Sequence, residues 1–153
     1  MPTWQQQSLI EAPVPRVWAL LADPASYPAW AGDAISVTGR PTKIEKGATF
    51  EQTSPGPFGS QQTTTFEVEE LEDLHEIKLR CQMSGYYSHW RLTEAQGQTF
   101  ADVEIGVEPI GVQGQVARVM MTKKQLRQVT EESLDGLRRA TVASEHPGAQ
   151  ATT

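Results

Sequence analysis

Apolar and polar positions change rhythm several times along the chain, and each change marks an element. Residues 4–10 read as a short strand that stops at Ala12-Pro13-Val14-Pro15, where two prolines remove backbone donors and fix φ. Helical spacing follows at once. Val14, Val17, Trp18, Leu20 and Leu21 form one broad apolar face, Pro15 suits a first helical turn, and Asp23-Pro24 closes the segment. A further short turn of helix is expected over residues 24–30. From residue 35 to 109 the period drops to two, and short β-like stretches alternate with Gly and Pro punctuation, which predicts a meander of about six strands. The alternation is clearest where Ile77, Leu79, Cys81 and Met83 oppose Lys78, Arg80 and Gln82. It recurs where Val103, Ile105 and Val107 oppose Asp102, Glu104 and Glu108.

Over residues 112–142 apolar positions return at three and four residues: Val116, Val119, Met120, Leu126, Leu134 and Leu137, with Thr130 and Thr141 in the same stripe. One helix of about eight turns, about 45 Å long, is expected, lying across the dry face of the sheet. The prediction is therefore an α+β domain in which a curved antiparallel sheet of about seven strands wraps a long C-terminal helix, with two short helices after the first strand. The domain spans residues 1–143, and residues 144–153, which lack any apolar pattern, are expected to be a disordered tail.

Composition narrows the function classes. With 153 residues, 38% hydrophobic and 21% charged, the chain is long enough for one real core, and it contains no apolar run of membrane-spanning length. The start of the chain has neither the basic residues nor the apolar stretch of a secretory signal, and a cytoplasmic location is expected. The single cysteine, Cys81, has no partner for a disulfide and no neighbouring ligand at metal spacing, so neither metal nor cofactor is expected. A net charge of −6 discourages nucleic acid as a partner, and the basic residues Lys123, Lys124, Arg127, Arg138 and Arg139 read as a solvated helix face.

The order of strand, paired small helices, meander and final helix is similar to the helix-grip fold of the START-like, Bet v 1-like superfamily. The wording Ser8-Leu9-Ile10-Glu11-Ala12-Pro13, Val17-Trp18-Ala19-Leu20-Leu21-Ala22-Asp23-Pro24 and Tyr27-Pro28-Ala29-Trp30 resembles the opening of its polyketide cyclase/dehydrase-type members. His89-Trp90-Arg91-Leu92 with residues 99–108 resembles their penultimate hairpin, and Leu134-Asp135-Gly136-Leu137 the end of their final helix. The resemblance covers roughly residues 3–142 and implies an internal hydrophobic cavity. It does not select among the superfamily's aromatases, cyclases, lipid carriers, receptors and chaperone activators.

Strand parity selects the side chains that would face such a cavity. Gln6 and Ser8 share the inward side with Ile10, Gln52 with Phe50, and Ser88 with Tyr86 and Trp90. Inward polar groups either contact a ligand or bound water, or satisfy one another. The candidate ligand-binding set from the sheet is Phe50, Phe66, Leu79, Cys81, Tyr86, Ser88, Trp90 and Ile105. The helices add Trp30, as a lid, with Val116 and Met120. Trp18 reads as core, Cys81 as a buried and unreactive thiol, and the segment Ser54-Pro55-Gly56-Pro57-Phe58-Gly59 as a mobile loop at the cavity mouth.

No catalytic residue is assigned. His89 shares parity with Tyr87 and Arg91 and is expected outside, facing Asp102 and Glu104 across a charged hairpin, while Tyr86 is the one titratable candidate inside. Three functions follow: binding or transport of a small hydrophobic ligand, aromatic, polyketide-like or lipid; an aromatase/cyclase-type enzyme; or a partner-binding module using the acidic sheet face. A homodimer stays open.

Overall fold

A computed structural model describes residues 3–39, 41 and 43–145. Seven strands form one antiparallel sheet: β1 (Thr3–Ile10), β2 (Ser36–Thr38), β3 (Thr49–Pro55), β4 (Gln61–Glu72), β5 (Glu76–Cys81), β6 (Tyr86–Ala95) and β7 (Gln98–Val107). Their order across the sheet is β1-β7-β6-β5-β4-β3-β2. Strands β2 to β7 are a simple meander, and β1 closes onto β7, with Thr3 opposite Gly106 and Ile10 opposite Thr99. A register shift between Val68 and Glu70 of β4 interrupts its ladder with β5, an irregularity of the kind that bends a strand.

Helix α1 (Val14–Leu21) follows β1 with Pro13 as its N-cap, as the proline pair predicts. Asp23 caps the next turn by accepting from the amide of Ala25, and α2 (Tyr27–Trp30) completes the two small helices. The chain's C-terminal part departs from the expectation. In place of one continuous helix there are two, α3 (Gly111–Met120) and α4 (Lys123–Glu145). The break is chemical. Thr122 Oγ1 accepts from the amide of Gln125 at 3.2 Å, while Gln125 Oε1 accepts from the amide of Thr122 at 2.9 Å, a reciprocal capping box that starts a new helix. The expected tail begins at Ser144, yet Ser144 and Glu145 belong to α4; residues 146–153 lie outside the described residues.

Helix α4 is the gripped helix. Leu126, Leu134 and Leu137 are fully buried along one stripe, each contributing about 1.5–3 kcal/mol by leaving water. Thr130 joins the stripe by returning its hydroxyl to the carbonyl of Leu126 at 2.8 Å. The approach of α4 to α2 is close enough to require a glycine: a Cβ on Gly136 would stand 2.1 Å from the carbonyl oxygen of Trp30. Ser133, one turn earlier, accepts from the amide of Gly32 at 2.9 Å. Together these contacts fix where Trp30 sits above the sheet.

Candidate functional site

The dry face of the sheet carries the residues that parity predicts. Ile77, Leu79 and Cys81 of β5, Tyr86, Ser88 and Trp90 of β6, and Val103, Ile105 and Val107 of β7 are all buried. Met83 is exposed because β5 ends at Cys81 and Met83 falls in the following turn. Between this face, α2 and α4 lies a cavity lined by Trp30, Phe66, Leu79, Ser88, Trp90 and Ile105 from the expected set. Leu21, Tyr27, Ala31, Asp33, Gln52, Ile77 and Ser133 complete it. Its volume is about 20 Å³, room for about one water molecule.

A run of ring contacts joins the lining side chains Trp90, Trp30, Tyr27 and Phe66 to Phe50 and Tyr86 behind them. Trp90 meets Trp30 edge-on at 5.7 Å, Trp30 meets Tyr27 at 5.4 Å, and Tyr27 meets Phe50 at 5.8 Å. Phe50 stacks on Phe66 at 5.8 Å, and Phe66 meets the edge of Tyr86 at 6.4 Å. Such contacts add about 0.5–1.5 kcal/mol each beyond burial and make the wall stiff. Two of the polar tips are satisfied locally: Tyr27 donates its phenol to the carbonyl of Leu21 at 2.6 Å, and Trp30 donates its indole N–H to Ser26 Oγ at 3.0 Å.

The polar groups of the site come from β3, β6 and the segment after α2. Tyr86 donates its phenol to Oδ2 of Asp33 at 2.7 Å, and Gln52 donates to the carbonyl of Asp33 at 3.2 Å and to Ser54 Oγ at 3.1 Å. Burial pushes the Asp33 carboxyl above the usual carboxylate range, and the bond from Tyr86 brings it partly back. Burial, reinforced by the Asp33 charge, raises the Tyr86 phenol well above its ordinary value, so it stays protonated and acts as a donor. Ser88 faces the cavity, and its hydroxyl has no hydrogen-bond partner among the described residues.

Several candidates lie elsewhere. Phe50, Cys81 and Tyr86 are buried behind the lining rather than on it. Val116 and Met120 are corrected more fundamentally, since both lie exposed on α3, which the Thr122 capping box turns away from the stripe of α4. Gln6 faces inward but accepts from the Trp4 indole at 3.0 Å and does not reach the cavity. The Ser54–Gly59 segment also stands outside the lining, with Phe58 at its tip. Asp33 is invisible to strand parity because it sits in a connector without periodicity.

On the outer face His89 and Arg91 oppose Glu104 and Asp102 in register, but both side chains turn to Glu76. Tyr87 takes Glu104, donating at 2.9 Å. Lys78 and Arg80 pair with Glu69 and Glu108 and lie over the Tyr87 ring. A second cleft of about 250 Å³, lined by Pro13, Val14, Pro15, Leu74, His75, Leu92, Glu94 and Gly97, is a mostly exposed groove.

Comparison with known proteins agrees with this architecture. The sequence profile of a family described as polyketide cyclase / dehydrase and lipid transport matches residues 1–141. Among solved structures, a protein of Thermus thermophilus superposes with a TM-score of 0.72 at 18% identity, covering 94% of this chain and 99% of that one. The AHSA1-like protein from Aeromonas hydrophila superposes with a TM-score of 0.69 at 17% identity, covering 94% of each chain. At these identities the likeness establishes the helix-grip fold alone. No curated protein matches the sequence, and no described helix is long and apolar enough to cross a membrane.

Proposed function

Because the chain belongs to the polyketide cyclase/dehydrase and lipid transport family, we propose that it binds a small hydrophobic molecule, aromatic, polyketide-like or lipid, between the sheet, α2 and α4. The observation that carries this reading is the aromatic wall of Trp30, Trp90, Tyr27 and Phe66, backed by Phe50 and Tyr86, on a space faced by the Ser88 hydroxyl, which has no hydrogen-bond partner among the described residues. The apolar wall supplies affinity at about 25 cal/mol per Å² of buried area, and Ser88 with the Tyr86–Asp33 pair orients one polar group of the ligand.

A cavity of about 20 Å³ is far below the roughly 300–1,000 Å³ of ordinary ligand sites, so binding includes an opening step. The edge contact of Trp30 with Trp90 is the part of the wall contributed jointly by a four-residue helix and a strand. Its separation would admit a ligand without breaking the ladder of the sheet. A reducing aqueous compartment such as the cytoplasm suits the single, buried Cys81.

The second reading is catalysis by the same site, favoured by Asp33. A carboxyl with a raised pKa on the wall of an apolar cleft is a competent general acid or base toward a bound ligand, and the Tyr86 phenol, which donates to it, holds it in place. The partner-module reading loses support, because the outer-face carboxylates of Glu69, Glu76 and Glu108 are already paired within the sheet.

Native mass spectrometry of the full chain purified from its own host, followed by denaturing extraction, tests the proposal. A co-purifying hydrophobic compound supports it. A chain that retains none, and whose tryptophan emission no aromatic or acyl probe alters, refutes it. Turnover of the recovered compound separates enzyme from carrier.

A further inference from the structure

Helix α3 is amphipathic in the wrong direction for a helix that packs on its own domain. At 100° per residue Val112, Val116 and Val119 fall within about 60° of arc. All three are exposed, Val112 at 81% and Val119 at 74%. The opposite side carries Gly114 and Ala117, and it is this small-residue side that meets the protein. A Cβ on Gly114 would stand 2.7 Å from the carbonyl oxygen of Ser84 and 2.8 Å from Pro109. The contact that seats α3 is thus a close backbone approach, and its valines are turned to solvent.

The antiparallel topology puts other exposed apolar groups at the same end of the sheet. Pro55 pairs with Gln61, Phe66 with Cys81 and Tyr86 with Val107, so the β3–β4 loop, the β5–β6 turn and the β7–α3 connector share that end. They carry Phe58, Met83 and Ile110, all exposed. Phe58 is 99% exposed and held at φ 57°, a costly backbone region for a bulky side chain.

Charge follows the same division. Residues 52–66, 82–88 and 109–117 contain no charged side chain, and residues 109–130 contain no acidic one, in a chain of net charge −6. The charges beside α3 are Arg118, Lys123, Lys124 and Arg127, together with Glu108 on the connector before it, whose carboxylate is held by Lys78 and Arg80. Arg127 pairs with Glu131 at 2.9 Å, whereas the exposed Arg118, Lys123 and Lys124 have no ion-pair partner among the described residues.

We propose that this end of the domain is a docking face for an anionic phospholipid surface, with the valines of α3 and Phe58 entering the headgroup boundary and Arg118, Lys123 and Lys124 meeting lipid phosphates. A second copy of the chain fits less well, because a two-fold contact through α3 would set the same cations against each other. The inference goes beyond the cavity reading, since docking does not require a filled cavity.

Flotation of the full chain with vesicles of phosphatidylcholine and phosphatidylserine in equal parts, against phosphatidylcholine alone, tests it. Binding to the anionic vesicles is expected to be at least about tenfold tighter and to weaken with salt. Val116→Asp with Val119→Asp, at exposed positions that leave the melting temperature unchanged, is expected to lower binding at least about tenfold. Lys123→Glu with Lys124→Glu should remove the preference for phosphatidylserine.

A folded wild-type chain that floats with neither vesicle, or variants that float as well as wild type, would overturn the proposal. So would a dimer that dissociates on Val116→Asp with Val119→Asp without vesicle binding, which would assign the face to a second copy. Uptake of a water-soluble hydrophobic dye reports the cavity separately and should not change in these variants. A wild-type chain that floats with the anionic vesicles but takes up no dye would count against the cavity reading alone.

Discussion

The phenol of Tyr86, on the dry face of β6, donates to the Asp33 carboxylate at 2.7 Å from a position 53 residues further along the chain. This bond joins the sheet to the connector after α2 and places a titratable carboxyl beside the cavity. Tyr86→Phe leaves that carboxyl buried without its donor and is expected to cost about 1–3 kcal/mol of stability. Asp33→Asn keeps an acceptor oxygen and should cost less. The double variant should cost less than the sum of the two. Urea denaturation of the four proteins measures this coupling, and strict additivity would mean that the two groups do not interact in solution.

The same carboxyl sets a pH dependence of unusual sign. Its folded pKa is raised above 3.8, so its contribution is fully present below that value and is lost as pH rises through the folded pKa. Glu69, held by Arg80, and Glu76, held by His89, are lowered from 4.5 and act in the opposite direction, losing their contribution as pH falls through their folded pKa values. Denaturation as a function of pH should therefore show a rise from the two glutamates that is complete by about 4.5, opposed from about 3.8 upward by a decline that Asp33→Asn removes. Glu76→Gln should reduce the low-pH rise and leave the decline in place.

Gly136 tests the grip itself. Alanine is normally the better helix former by about 1 kcal/mol, and on that ground alone Gly136→Ala would stabilise α4. A Cβ placed 2.1 Å from the carbonyl of Trp30 must instead push α2 away, and overpacking of this kind costs about 1–3 kcal/mol. The net effect should be a lowered melting temperature accompanied by altered tryptophan emission, because Trp30 rides on the displaced segment. A melting temperature equal to or above that of wild type would show that α2 and α4 are not in this contact.

The elements legible in the sequence are those whose polarity alternates against one face. Ile77, Leu79 and Cys81 against Lys78 and Arg80 define the inside of β5, and the inward set of β6 follows from the same parity. The break between α3 and α4 is hidden from spacing, because Val116, Val119 and Met120 continue the three- and four-residue recurrence of Leu126, Leu134 and Leu137. Spacing defines a stripe without saying which way it points. The local signal is Thr122 with Gln125, which outweighs the continuity of the stripe by satisfying free amides at a helix start. Asp33 and Tyr27 are beyond the reach of parity, since each lies outside a strand and enters the site through packing of α2 on α4.

Ser88 separates a ligand-contacting role from a structural one. Its hydroxyl faces the cavity without a partner among the described residues, so removing it by Ser88→Ala leaves no group unsatisfied and should change folding stability by less than about 0.5 kcal/mol. Trp90 is different, because it holds the wall against Trp30, and Trp90→Ala should cost about 3–5 kcal/mol in stability as well as affinity. If Ser88 orients the polar group of a ligand, Ser88→Ala should weaken binding of a hydrophobic probe bearing a hydroxyl or carbonyl by about 0.5–1.5 kcal/mol, roughly two- to tenfold. A probe of the same shape without the polar group should be unaffected. Fluorescence titration with the two probes reads the difference. Equal losses for both would make Ser88 a packing residue and leave Asp33, held by Tyr86, as the polar recognition element of the site.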